Sequence, residues 1–219
     1  MTDRATAAAP PGVSPTFWRL VVAEPLEELT ALDVGTGGGR LALALAPVCR
    51  RVVGLDRDPA LITEARRRAA TLGLENAGFV VADAESIEYG AFEPDLVLAH
   101  LCMSDAIAER AARALAPGRV FAFVSFHTDQ WRETGRRSRF AYDEDQAGRL
   151  LTRVGFVVEH LEIDRQVETF GSVEEALAAA LGLAERWKAD GRWFRYIKFL
   201  EEGGRTLTRS HLLVKARRR

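Results

Sequence analysis

The sequence predicts a doubly wound α/β fold, with a mostly parallel sheet and helices on both faces. Three observations carry this. Short apolar runs alternate with helical stretches over the first 126 residues, a glycine-rich turn joins the first run to the next helix, and acidic residues fall where successive runs end. Strands that alternate with helices at this spacing pair in parallel through crossover helices.

The elements follow in order. Residues 1–16 are rich in Ala, Pro and Thr and lack a signal-peptide pattern, so a flexible end is expected there, with a single domain over 17–219. Phe17 to Val22 reads as a short helix whose Phe17–Trp18 pair either covers the core edge, the simpler reading, or closes over a ligand. The apolar run Leu29 to Val34 reads as the first strand, and Leu41 to Ala46 as a helix stopped near Pro47. Arg51 to Leu55 is the second strand, with Asp56 at its end. Asp58-Pro59 is an N-cap followed by proline at the first helical position, and Gly73 closes that helix. Ala77 to Ala82, Asp95 to Ala99 and Arg119 to Phe126 are the next strands, with a helix from Asp105 to Leu115 before Pro117-Gly118.

After Phe126 the rhythm changes. His127 to Phe140 reads as a polar loop holding Trp131 and four arginines. Asp143-x-x-Gln146 opens a helix that Gly155 closes, and Phe156 to Phe170 holds one or two strands. Ser172-x-x-Glu175 is a capping box. A helix over 189–202 and a strand over 206–216 complete the pattern, with Arg217 to Arg219 as a solvated tail. Cofactor binding is expected over 30–126, and the substrate side over 127–219.

Composition narrows the class. A 47% hydrophobic and 28% charged chain can build an ordinary globular core, and a net charge of −1 makes no global case for nucleic acid or an anionic membrane. Two cysteines are too few for a disulfide framework or a cysteine-rich metal site, so no metal is expected. No apolar run approaches the roughly 18 to 20 residues that span a bilayer. A cytoplasmic enzyme is the expectation; its oligomeric state is not encoded in these patterns.

Chemistry concentrates at four strand ends, where open α/β sheets bind ligands. These are the Asp33/Gly35/Gly37/Gly39 loop, Asp56, Asp83-Ala84 and the His100 to Cys102 segment. Asp56 lies 21 residues beyond Gly35, a distance that suits hydrogen bonds from ribose hydroxyls. Asp83 can accept from an adenine amine while the Ala84 N–H donates to a ring nitrogen, which points to an adenosine group. A pyrophosphate-binding turn wants a third glycine at position 40, which is Arg40. Asp33 is awkward beside pyrophosphate but suits the cationic ammonium and sulfonium of S-adenosylmethionine. Charge therefore favours that cofactor over NAD.

Leu32-Asp-Val-Gly-Thr-Gly-Gly-Gly39, Val53-Gly-Leu-Asp56, Val81-Ala-Asp-Ala84, Asp95-Leu-Val-Leu98 and Leu115-Ala-Pro-Gly118 resemble, in order and spacing, the successive motifs of class I S-adenosylmethionine-dependent methyltransferases. The resemblance implies a Rossmann-like seven-stranded sheet, ordered 3-2-1-4-5-7-6, with the last strand antiparallel. It implies that Asp33 and the Gly35 to Gly39 loop, with Thr36 and Gly37, hold the methionine portion, Asp56 the ribose and Asp83 the adenine; Arg57 and Ala84 are further candidate cofactor contacts. The product would be S-adenosylhomocysteine. His100 falls where the family places residues near the transferred methyl group, so it is a candidate cofactor contact. His100 and His127 are both candidate general bases, each also readable as a packing histidine. Cys102 reads as an apolar filler.

The expected activity is methyl transfer to a small-molecule acceptor. The alternatives are a methyltransferase-like binding module without catalysis, an RNA or protein methyltransferase, and an NAD-dependent oxidoreductase. A basic face built from Arg132 to Arg139 and the Arg217 to Arg219 tail would favour RNA.

Overall fold

The computed structural model describes residues 8–219. In chain order the elements are α1 (Pro15–Val22), β1 (Thr30–Val34), α2 (Arg40–Leu45), β2 (Arg51–Asp56), α3 (Pro59–Thr71), β3 (Ala77–Val81), β4 (Leu96–His100), α4 (Asp105–Ala114) and β5 (Val120–His127). They continue with β6 (Ala141–Tyr142), α5 (Glu144–Val154), β7 (Phe156–Thr169), α6 (Val173–Ala180), α7 (Ala184–Asp190), α8 (Arg192–Glu201) and β8 (Thr206–Arg218). Two compact units emerge. One comprises the chain up to Ser125 with Glu144–Glu162 and Leu213–Arg219; the other comprises Phe126–Asp143 and Ile163–Leu212.

The sheet runs β3-β2-β1-β4-β5-β8-β7, with the two-residue β6 added beside β5. Apart from β6, which sequence reading missed for its brevity, this is the expected seven-stranded order. β1 to β5 pair in parallel. β8 runs against its neighbours: Gly118 N–H donates to the Arg218 carbonyl and Arg218 N–H returns to Arg119, so the start of β5 meets the end of β8.

Helices cover both faces, and the central strands are accordingly buried and largely apolar. All five residues of β1 are buried. Side chains alternate, so Ala31, Val52, Leu96, Leu98 and Ala122 share one core with Phe17, Leu41, Ile62 and Ala65 from α1 to α3. Asp58 caps α3, accepting from Ala60 N–H at 2.8 Å. Ser104 caps α4 at 3.4 Å from Ile107 N–H.

Both chain ends depart from expectation. Of the flexible stretch expected over 1–16, residues 1–7 lie outside the described residues, while the remainder is structured. Val13 is 6% exposed, and Ser14 accepts from Phe17 N–H at the start of α1. Phe17 and Trp18 are buried in the core, so the simpler reading of that pair holds. At the other end Arg217 and Arg218 of the expected solvated tail are instead part of β8, while Arg219 is exposed beyond it. Arg217 pairs with Glu24 at 2.9 Å and with Glu159, and Arg218 Nη1 donates to the Gly155 carbonyl at 2.7 Å. Local composition reads as solvated; the carboxylates that bind it are distant in sequence.

Lys215, 8% exposed, completes that network, meeting Glu24 at 2.5 Å and donating to the Leu20 carbonyl at 3.1 Å. Burial pushes the Glu24 carboxyl up, but Arg217 and Lys215 together overcome it and hold it below the ordinary 4.5. A depressed carboxyl stabilises the fold above its unfolded value, and that contribution is lost as pH falls through the folded value. Glu24→Gln is therefore expected to cost about 1–2 kcal/mol near neutrality. In urea unfolding the difference from wild type should shrink at acidic pH; a pH-independent difference would argue against the ion pairs as its source.

The second unit has its own core of Trp131, Phe170, Ala176, Ala180, Trp187, Tyr196, Leu200 and Leu207. Trp131 and Trp187 meet edge to face at 5.3 Å, and Trp187 and Tyr196 at 5.5 Å. Ser172 accepts from Glu175 N–H at 3.2 Å, as the capping box leads one to expect, while Glu175 reaches back one residue further, to Gly171 N–H at 2.8 Å. The helix expected over 189–202 is broken: Gly191, at φ +81°, ends α7 and turns the chain into α8.

Candidate functional site

The Gly35–Gly39 loop leaves β1 in a path only glycine accepts easily. Gly35 has φ +69°, and a Cβ there would lie 2.5 Å from Cys102 Sγ. Gly37 has φ +55° and open space where its Cβ would be, so bare backbone faces outward. Thr36 is tied down at both ends: its N–H donates to the Leu55 carbonyl at 2.8 Å and its hydroxyl to Asp33 Oδ2 at 2.6 Å.

Asp33 is 1% exposed and also accepts from Ala42 N–H at 3.2 Å, capping α2. That amide of the six-residue α2 is thereby occupied by the protein's own carboxylate. Burial pushes the Asp33 carboxyl up to about 6, against the pull of the Thr36 and Ala42 bonds and of Arg40. The charge is thus held in a dry place where a neighbouring cation would be welcome.

Asp56 closes β2 and grips the loop, accepting from Gly37 N–H at 2.8 Å and from Asp58 N–H at 3.0 Å. Arg57 beside it is exposed. Asp83 follows β3, is exposed, and accepts from Glu85 N–H at 2.9 Å. The Tyr89 hydroxyl, on a fully buried ring, donates to the Ala84 carbonyl at 2.7 Å and pins that turn. Since β1 pairs with β2 and β2 with β3, the three carboxylates follow one another along three adjacent strand tips.

The last tip belongs to His100, which is within β4 rather than after it. Arg40 Nη2 approaches His100 Nδ1 at 3.5 Å, while Arg40 Nη1 donates to the Pro11 carbonyl at 3.2 Å. Phe17 stands 6.0 Å from the imidazole, ring to ring. Beneath the loop, the Cys102 thiol donates to the Val34 carbonyl at 2.9 Å. Burial, with the charges of Asp33 and Asp56, pushes that thiol up to about 12, so Cys102 is a neutral packing group.

His127 ends β5 and belongs to the second unit. It is 4% exposed, and its Nδ1 accepts from Asp129 N–H at 3.2 Å and lies 3.0 Å from Ser210 Oγ. Gln130 accepts from Ser210 N–H at 2.5 Å.

Sequence reading placed Asp33, Asp56, Asp83 and the glycines correctly at strand tips. It missed the residues that hold them. Arg40, read only as a missing glycine, lies 60 positions from His100, and Cys102 lies 68 from its acceptor Val34. Tyr89 carried no periodic signal at all. Among the described residues no cluster of His, Cys, Asp and Glu is arranged to hold a metal, and no helix is long and apolar enough to cross a membrane.

A mostly parallel sheet of this order, with a glycine loop after the first strand and carboxylates after the next two, is the Rossmann-like methyltransferase fold. The family described as methyltransferase domain matches residues 26–195, and the chain belongs to it, as a class I S-adenosylmethionine-dependent methyltransferase. Relatives include the aklanonic acid methyltransferase of a Streptomyces species, 34% identical over 51% of this chain and 55% of its own length. A ubiquinone biosynthesis O-methyltransferase of a Methylobacterium species is 34% identical over 45% of this chain and 41% of its own. The matched stretch thus spans about half the length of these curated relatives. Among solved structures, the YcgJ protein of Bacillus subtilis superposes with a TM-score of 0.72 at 16% identity, covering 92% of this chain and 97% of that one, a likeness of fold.

The family and fold imply S-adenosylmethionine as cofactor, and the residues present fit it. An outward-facing bare backbone at Gly37, a buried anionic Asp33, and acceptors at Asp56 and Asp83 suit a cationic nucleoside better than a pyrophosphate.

Proposed function

We propose that the protein transfers a methyl group from S-adenosylmethionine to a small-molecule acceptor. In this reading 17–219 act as one methyltransferase domain, with cofactor binding over 30–126 and acceptor recognition over 127–219. The run of Asp33, Asp56 and Asp83 along adjacent strand tips around the glycine loop carries the proposal. When bound, the cofactor supplies an electrophilic methyl on a sulfonium. Asp56 receives the ribose hydroxyls, with Arg57 beside it, Asp83 receives the adenine amine, and Ala84 N–H donates to the ring. Gly35, Thr36, Gly37 and Gly39 shape the backbone against the methionine portion, and Asp33 places its negative charge beneath it.

In-line displacement needs alignment above all. His100 lines the fourth tip as a cofactor or acceptor contact. At both His100 and His127 a donor faces Nδ1, which puts the proton of the neutral ring on Nε2. In this reading each histidine orients an acceptor, and Nδ1, which already faces a donor in both rings, is not the atom that takes its proton.

The small-molecule assignment is supported by the relatives named for aklanonic acid and for ubiquinone biosynthesis. A nucleic-acid acceptor loses one support, since Arg217 is committed to Glu24 and Glu159 rather than to an open basic strip. Calorimetric titration of the full chain with S-adenosylhomocysteine is expected to show saturable binding, weakened roughly tenfold or more in Asp56→Ala as two ribose hydrogen bonds go. Labelled methyl from S-adenosylmethionine should then appear in a small-molecule fraction of cell extract. Binding without any labelled acceptor would turn the reading toward a non-catalytic module; no binding would end it.

A further inference from the structure

Positive charge is unevenly spread within the second unit. Arg192 and Arg136 both meet Asp190, the first at its carboxylate and the second at its backbone carbonyl, and Arg186 shares the Trp131 ring with Arg192. Arg192 is only 8% exposed, pairs with Asp190, and donates from Nη2 to the Arg137 carbonyl at 3.3 Å. Its Nε–H is nevertheless buried without an acceptor. Arg136 donates to the Asp190 carbonyl. The guanidinium carbons of Arg186 and Arg192 lie 5.1 and 5.7 Å from the centroid of Trp131. A fourth guanidinium approaches, with Arg195 Nη1 3.9 Å from where a Cβ would sit on Gly135.

Burial lowers the Arg192 pKa from its ordinary value, and Arg136 and Arg186 push in the same direction against the pull of Asp190. Of the other carboxylates in the 127–140 loop, Asp129 pairs with Arg165, and Glu133 accepts through Oε1 from the Thr206 and Thr208 hydroxyls while its Oε2 is buried without a hydrogen bond. Of these four guanidiniums Arg192 is the one paired, among the described residues, with a carboxylate, that of Asp190, so the group carries a surplus of positive charge and of fork-shaped donors, which matches a phosphate or carboxylate group.

We propose that Arg136, Arg186, Arg192 and Arg195 form an oxyanion subsite, which takes the phosphate or carboxylate of a small acceptor. This rests on the small-molecule reading above and narrows it to anionic acceptors. Arg192 is the buried base of the subsite, stacked on Trp131 and oriented by Asp190, while the exposed arginines form its rim. A purely structural role, in which the arginines only clamp Trp131, predicts no anion affinity.

Inorganic phosphate titrated into the full chain at constant ionic strength, followed by calorimetry and thermal unfolding, separates the two. Saturable binding is expected, weakened about fivefold or more in Arg136→Gln/Arg195→Gln, whose side chains are exposed and leave the Trp131 stack intact. Arg136→Lys, which keeps the charge but not the fork, should fall between. Succinate should compete with phosphate. S-adenosylhomocysteine affinity should be unchanged in every variant, so a failure of cofactor binding in the wild type speaks against the proposed function and not against the subsite. Absence of saturable phosphate binding, or equal affinity in the double variant, would overturn the subsite. A short single-stranded RNA that binds far more tightly than phosphate, with steep salt dependence, would overturn its assignment to a small acceptor.

Discussion

Asp33→Asn should make the protein more stable and worse at holding its cofactor. Burial raises the Asp33 carboxyl from 3.8 to about 6, so the folded state resists its ionisation. For an acid whose folded value is raised, the cost is absent below the unfolded value, grows as pH rises from about 4 to about 6, and is fully present above that. The interval corresponds to roughly 3 kcal/mol as an upper bound. Asparagine keeps an oxygen to accept from the Thr36 hydroxyl and Ala42 N–H without carrying a charge. Near pH 8 the variant should therefore unfold at a higher temperature, by about 1–2 kcal/mol of stability, and the gain should vanish near pH 4. S-adenosylmethionine binding should weaken roughly ten- to a hundredfold, because a buried charge opposite a cation is lost. Wild-type affinity should likewise fall as pH drops through about 6. If stability falls near pH 8 while affinity holds, Asp33 is only a cap for α2.

Gly35→Ala should unfold or badly distort the loop. The new Cβ would sit 2.5 Å from Cys102 Sγ and 2.9 Å from its Cβ, and alanine at φ +69° adds a conformational cost of about 1 kcal/mol. Together these predict a loss of about 3–4 kcal/mol and of measurable cofactor binding. Cys102→Gly in the same chain removes both clashing atoms but leaves the φ cost. A double-mutant cycle should thus return most, not all, of the loss. No recovery in that cycle would show that the backbone conformation alone forbids a side chain there.

What could be read from the chain was what local physics writes into it. Alternating apolar runs gave β1 to β5, and caps at Asp58, Ser172 and the Gly73 stop bounded helices correctly. The carboxylates at the tips of β1 and β2, and just past β3, were visible because strand ends are local features. The fixings of the site were not. Arg40 to His100, Cys102 to Val34 and Arg217 to Glu24 join residues 60, 68 and 193 positions apart, and no periodicity records such pairs. Gly191 was missed for a different reason: glycine is tolerated inside helical patterns, and only its left-handed φ reveals a break. Arg217 and Arg218 misled because a basic cluster looks solvated until its distant acceptors, Glu24 and Glu159 for the first and the Ala112 and Gly155 carbonyls for the second, are found.

The position of β8 bears on how the chain assembles during synthesis. β8 lies between β5 and β7 although it is translated after both. While the ribosome is still making 170–205, β7 has no neighbour to pair with, and the edge of β5 that will meet β8 stays open. The nascent protein therefore carries two unpaired backbone edges until β8 slides in between them, and this interval is when it is most exposed to aggregation and to capture by chaperones.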